Sequence, residues 1–268
     1  MSRTIKLVIE YDGTNYIGWQ IQKSGNRSRK SEVRSGELDS RFHGNDNNKV
    51  LTIQGLLQEA IIKITGEDIK VTGAGRTDSG VHAKGQVASF QTSSGIAIEA
   101  LPLAINAHLP DDIAVLSAEE AGPDFNARRS AKAREYRYVI NNGRSRSALH
   151  RMYSFHVPVK LDVDAMKRAT GYFIGRHDFS GFMAGHGTEE FRDIMKLDIE
   201  KTDDFVYITV KANSFLMHMV RYMVAALVEV GKGKMRPEDI KKYLEPSPMK
   251  WTHSRAPAKG LFLMKVEY

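Results

Sequence analysis

TIKLVIE, residues 4 to 10, puts Ile5, Leu7 and Ile9 on one side of the chain and Lys6, Val8 and Glu10 on the other. Side chains alternate across an extended chain with a period of two, so this stretch predicts a first β-strand with one face in a core. Further along the period changes. Ile53, Leu56, Leu57, Ala60, Ile61 and Ile64 recur at helical spacing and predict an amphipathic helix over 53 to 64. Strand-like pieces near 69 to 73 and 85 to 91, a second helix near 97 to 108 and a strand near 113 to 119 complete the order βαββαβ, that of a ferredoxin-like unit.

The second half repeats the arrangement without repeating the sequence. A strand over 134 to 141 precedes a helix at 162 to 174, strands near 193 to 201 and 204 to 211, a helix at 214 to 230 and a strand at 261 to 268. EEAGPDFNARRSAKA, residues 119 to 133, mixes Gly, Pro and charge and reads as the junction. The expected fold is therefore α+β. It comprises two ferredoxin-like (RRM-like) halves, residues 1–122 and 123–268, whose largely antiparallel sheets join around a central active-site cleft. Two such sheets, with helices on one side only, leave faces suited to RNA.

Residues 23 to 49, KSGNRSRKSEVRSGELDSRFHGNDNNK, are polar and read as an insertion in the first half that forms a loop. They hold seven basic and four acidic residues, while the chain carries a net charge of +7, so the basic excess extends beyond this stretch. Such a charge favours anionic partners, nucleic acid among them. The absence of cysteine excludes disulfides, thiolate catalysis and cysteine-bound metal centres, and it suits a reducing cytoplasm. MSRTIKLVIEYDG lacks the apolar core of a signal peptide. The most apolar stretch, 214 to 230, contains His218, Arg221 and Glu229 and is short for a membrane span.

GAGRTDSGVHA, residues 73 to 83, is the stretch richest in chemistry. Gly73, Gly75 and Gly80 bracket Arg76, Thr77 and Asp78, allowing a tight backbone that pushes a short acid outward. Two readings stand: Asp78 hydrogen-bonds its own turn, or it is a reactive carboxylate sharing an anionic substrate with Arg76. There is no GKS/T ending of a phosphate-binding P-loop. Arg221 lies among Met219, Val220, Met223, Val224 and Leu227 on the apolar helix. A guanidinium unpaired in a low-dielectric interior is costly, so it either reaches solvent from the helix edge or takes a carboxylate partner, for which Asp78 is the nominee. His218, one turn earlier, is a packed histidine or an RNA contact. Tyr136 and Tyr138 share one side of a strand with Arg134 and Arg137 interleaved, a pattern that suits core packing, or a flipped base stacked on one ring while the arginines hold its phosphates. The nine histidines are scattered without an HExxH motif, so no metal is expected. No GxSxG elbow recommends a serine nucleophile.

These stretches, with YDGTNYIGWQIQ at 11 to 22, TIQG at 52 to 55, ALPLAINAHLP at 100 to 110, FNAR at 125 to 128, GRHDF at 175 to 179, FLMHMVR at 215 to 221 and APAKGL at 256 to 261, resemble the bacterial tRNA pseudouridine synthase A family over nearly the whole chain. The resemblance implies isomerisation of uridine to pseudouridine at tRNA positions 38, 39 and 40 in the anticodon stem-loop, by a homodimer without cofactor or metal. It puts Asp78 on the family's catalytic aspartate, and Arg76, Tyr136 and Arg221 on its active-site arginines and tyrosine. In that setting Asp78 would attack C1′ or take the C2′ proton, Arg221 would orient it and keep it ionised, Tyr136 would stack on the detached uracil and assist loss of the C5 proton, and Arg76 would hold phosphate or occupy the space left by the flipped nucleotide. Two departures stand out: the insertion at 23–49, and Asn126 where the family has His. A non-catalytic RNA-binding protein, which would not need Asp78, and another RNA-modifying enzyme such as a methyltransferase are the competing readings.

Overall fold

The alternating segment is β1, Arg3–Tyr11, with Ile5, Leu7 and Ile9 fully buried. The computed structural model describes residues 2–20, 51–185, 190–245 and 249–268; the polar insertion expected at 23–49 lies outside the described residues. β1 runs antiparallel between β3, His82–Thr92, and β4, Ile113–Ala121. The short β2, Thr72–Gly73, pairs with the later part of β3. Helix α1, Ile53–Thr65, is started by the Thr52 side chain, which accepts from the Gly55 N–H. It stops at Gly66, whose φ of 71° ends the helix in the left-handed region. Its buried stripe, Ile53, Leu57, Ala60 and Ile61, is the one its spacing predicts.

The second half contributes β5, Ala133–Asn141, β6, Phe155–His156, α3, Val163–Thr170, β7, Gly175–Asp178, β8, Phe191–Thr202, β9, Phe205–Ala212, α4, Met219–Gly231, and β10, Leu261–Glu267. The class is mixed α+β with a large, mostly antiparallel sheet, as expected. In place of two sheets, however, the strands join in one, in the order β4-β1-β3-β10-β5-β9-β8-β7. The join is a parallel pairing of Phe262 with His82 and Leu263 with Ala83. It gives backbone partners to two edges that separate sheets would leave bare.

Several boundaries move for local reasons. β4 runs to Ala121 because Thr4 pairs with it, so Glu119 and Glu120 are strand rather than junction. The second helix is only Leu101–Asn106, entered through Pro102, which fits the first turn of a helix but not its middle. α4 begins at Met219 rather than 214, because His218 adopts φ 64°, ψ 4°, which no right-handed helix contains. Once begun, α4 is buried at Met219, Val220, Arg221, Met223 and nearly every position beyond.

One side chain ties the halves together. Arg134 donates from Nη1 to the carbonyls of Ala131 (3.2 Å) and Asn213 (2.9 Å), and from Nη2 to those of Ala74 (2.9 Å) and Arg128 (3.0 Å). This guanidinium is spent on backbone, so it does not hold phosphate. Arg134→Ala leaves four carbonyls short of a charged donor and should cost about 3 kcal/mol. Urea unfolding should show a lower midpoint at unchanged slope, with Arg134→Lys, which lacks the fork, intermediate.

Candidate active site

Asp78 sits in the loop between β2 and β3, and a second loop fixes its backbone. Gly18, in the segment following β1, forms an isolated antiparallel bridge with Asp78. The Trp19 N–H donates to the Thr77 carbonyl at 3.1 Å, and the Gly80 N–H donates to the Tyr16 carbonyl at 3.3 Å. Glycine is required on both sides of this contact. Gly18 has φ +106°, and a Cβ there would lie 2.4 Å from the Thr77 oxygen; Gly80 has φ +74°. The Tyr11 and Thr77 hydroxyls, 2.8 Å apart, close the contact from beneath. Asp78 is therefore not a residue capping its own turn. Its backbone is held from outside, and its carboxylate points to the second half.

There it meets α4. Arg221 Nη1 donates to Asp78 Oδ2 at 2.8 Å, and Arg221 Nε donates to the Ala256 carbonyl, also at 2.8 Å. The Asp78 side chain is 26% exposed and that of Arg221 only 9%, so the acid opens to solvent while its partner lies behind it. Of the two arrangements left open for Arg221, the structure has the buried pair. His218 Nε2 stands 3.4 Å from the same Oδ2. Oδ1 accepts no hydrogen bond among the described residues and is the free oxygen.

Tyr136 is buried on β5, edge-on to Phe215 with ring centroids 5.2 Å apart. A Cβ built on Gly75 would lie 3.8 Å from its hydroxyl, which places the ring's tip over the Asp78 loop. Burial pushes the Tyr136 hydroxyl well above the usual tyrosine range, and Tyr11 and the Asp78 charge push the same way. It keeps its proton at neutral pH. Tyr138, on the same side, is core: its hydroxyl donates to the Pro257 carbonyl at 2.8 Å. Arg76 is exposed and has no ion pair among the described residues, so it is available to an anion. Asp78, Arg221 and Tyr136 thus come together at the seam between the halves, with Arg76 at its rim. Asn126 is a turn former, accepting from the Arg128 and Arg129 N–H groups at 3.1 and 3.0 Å.

Sequence reasoning missed the brace behind this site. His82, at the start of β3, stacks on Phe262 of β10 and accepts at Nδ1 from the Gly13 N–H at 3.1 Å. Its Nε2 lies 3.1 Å from the Met152 carbonyl, which requires the proton on that nitrogen. Asp12 lies 3.0 Å from Nδ1. The signal was present as an HA pair ending the glycine-rich motif, but only strand pairing shows its use. Among the described residues no cluster of His, Asp and Glu could hold a metal, and no helix is long and apolar enough to cross a membrane.

Burial holds the His82 pKa below the ordinary histidine value, against the opposing pull of Asp12. The unfolded chain therefore takes up this proton first, at about pH 6.5. Stability present above that pH is lost as pH falls towards the folded-state value. Unfolding free energy measured by urea titration should decline from pH 7 to pH 5, with a shallower decline in His82→Asn.

A family profile described as tRNA pseudouridine synthase matches residues 35–128 and 169–268. The chain is 40% identical over 268 residues to "tRNA pseudouridine synthase A" of Thermoanaerobacter sp. (strain X514), spanning 99% of this chain and 100% of that protein. Proteins of the same name match at 41% over 268 residues in Pelobacter propionicus (strain DSM 2379 / NBRC 103807 / OttBd1), with 99% of this chain and 100% of that protein covered. In Moorella thermoacetica (strain ATCC 39073 / JCM 9320) the match is 42% over 266 residues, with 98% and 99% covered.

Proposed function

The chain belongs to the tRNA pseudouridine synthase family, and from that membership we propose how its residues share the isomerisation of uridine to pseudouridine in tRNA. The observation that carries the reading is the carboxylate of Asp78, backed by a buried arginine on Oδ2 and, among the described residues, free at Oδ1. The substrate is the anticodon stem-loop, at positions 38, 39 and 40. The reaction detaches the base at N1, turns it and rejoins it through C5; the C5 proton is lost and N1 gains one, so atoms are conserved and no redox partner is needed.

Asp78 starts the reaction through Oδ1, as nucleophile at C1′ or as base at C2′. Arg221 balances and orients its charge from behind. The buried ring of Tyr136 offers an apolar face to the detached uracil and, keeping its proton, acts by stacking and hydrogen donation. Arg76, exposed at the rim, takes a phosphate of the opened loop.

The repeated strand order supports two ferredoxin-like halves, 1–122 and 123–268. In the first, β1 lies between β4 and β3, with β2 beyond; in the second, β5 lies between β10 and β9, with β8 beyond. Family membership likewise supports a homodimer acting in the cytoplasm.

Pure protein incubated with unmodified tRNA, without metal or cofactor, should yield pseudouridine on nucleoside analysis. Asp78→Asn should lower kcat on the order of 10³-fold or more while tRNA binding persists. Equal product from both proteins would remove Asp78 from the chemistry. Tyr136→Phe, which keeps the ring, should retain far more activity than Tyr136→Leu under the same assay.

A further inference from the structure

We propose that His218 is a positioning residue for Asp78: held in a left-handed backbone at the entrance to α4, it directs Nε2 at Oδ2. That oxygen is then committed to the protein, and Oδ1 alone faces the ribose. The inference rests on the role given to Asp78 above and adds a residue to it.

Three observations converge on His218. The first is its backbone. Among the described residues only Asp203 and His218 have positive φ without being glycine. Asp203 turns the hairpin between β8 and β9, where a short polar residue tolerates this conformation. His218 precedes α4 without capping it, since its side chain accepts no helix N–H. The imidazole is therefore not engaged in capping the helix.

The second is the shared oxygen. Arg221 Nη1 at 2.8 Å and His218 Nε2 at 3.4 Å meet the same Oδ2. Arg221 makes the hydrogen bond and His218 stands within contact range of the same oxygen, so a small turn of the imidazole adds a second constraint on the rotation of the carboxyl group. The 3.4 Å contact is long for a hydrogen bond, and contacts of this kind shorten when substrate fills the site.

The third is the ring's charge. Asp78 faces it from the loop, Arg221 from its own helix and Arg255 from the segment before β10, with Tyr222 edge-on at 6.4 Å. Burial keeps it from protonating, helped by Arg255 and Arg221 and opposed by Asp78. Nδ1 has no partner among the described residues, which leaves the proton on Nε2, towards the acid. A neutral donor orients Asp78 without adding a second full cation to a carboxylate that must react.

The test compares His218→Gly, His218→Asn and Asp78→Asn with the parent on unmodified tRNA. Glycine adopts the left-handed backbone freely, so His218→Gly should be at least as stable as the parent and bind tRNA equally well. Its kcat should nonetheless fall on the order of 10²-fold. Asn tolerates the same backbone and supplies an amide donor, so His218→Asn should recover part of kcat. Parent kcat should fall only at a pH below the ordinary histidine value, where a protonated imidazole comes to face Asp78, and His218→Asn should lose that step. Parental kcat and pH profile in both His218 variants, with Asp78→Asn inactive, would overturn the positioning role and leave Asp78 in place. A rise in KM at unchanged kcat would overturn it too, making His218 an RNA contact. Full activity of Asp78→Asn would overturn the reading beneath both.

Discussion

A guanidinium with 9% of its side chain exposed has to be matched, and Arg221 is matched by a carboxylate from the other half of the chain. Removing one partner from a pair of this kind typically costs about 3–5 kcal/mol, less where the acid is partly solvated as here. Much of the architecture answers that requirement. Helix α4 is buried on nearly all sides, so its arginine cannot escape to solvent. The segment before β10 supplies the Ala256 carbonyl to Nε, and its backbone N–H returns a bond to the Arg221 carbonyl at 3.1 Å. The parallel pairing of β10 with β3 then brings that segment beside the loop that carries Asp78. Joining the halves and completing the acid–arginine pair are one structural event, which is why the site lies on the seam.

The precision of the Asp78 loop comes from backbone contact rather than side-chain packing. Gly13, with a Cβ position 2.0 Å from the Val81 oxygen, and Gly18 let two loops touch where any side chain would hold them apart. Two backbones at that distance leave the acid little freedom except at its own χ angles. Arg221 restricts those torsions, which the loop cannot reach. Groups borne on loops tend to be imprecisely placed; here the imprecision is removed by the partner loop and by a helix from the opposite half.

Local periodicity made most elements legible. Ile5, Leu7 and Ile9 announced β1, and the stripe from Ile53 to Ile64 announced α1, because both patterns are properties of neighbours in sequence. The single sheet was not legible, since the pairing of Phe262 with His82 joins residues 180 positions apart and leaves no mark on either segment's period. The start of α4 was misread because Phe215, Leu216 and Met217 continue the apolar run, whereas the left-handed His218 breaks the helix without a glycine to signal it. Arg221 was legible as an unmatched charge among apolar neighbours. Arg134 was not, because a guanidinium that binds carbonyls resembles one awaiting phosphate until the four carbonyls are in place.

The cations of the site divide between two tasks that respond differently to the medium. Arg221 works at 2.8 Å from its partner and behind it, where added salt has little access. In the role proposed for it, Arg76, with the remaining surface charge within a net +7, would act on phosphates through water, an attraction that falls steeply as salt competes for the RNA backbone. Ionic strength therefore bears on how a polyanion arrives and dwells, and hardly on the geometry of the Asp78–Arg221 pair. The separation has a structural origin. A charge that orients a reacting carboxylate must be desolvated to be directional, and a charge that gathers a polyanion must be exposed to be felt at a distance.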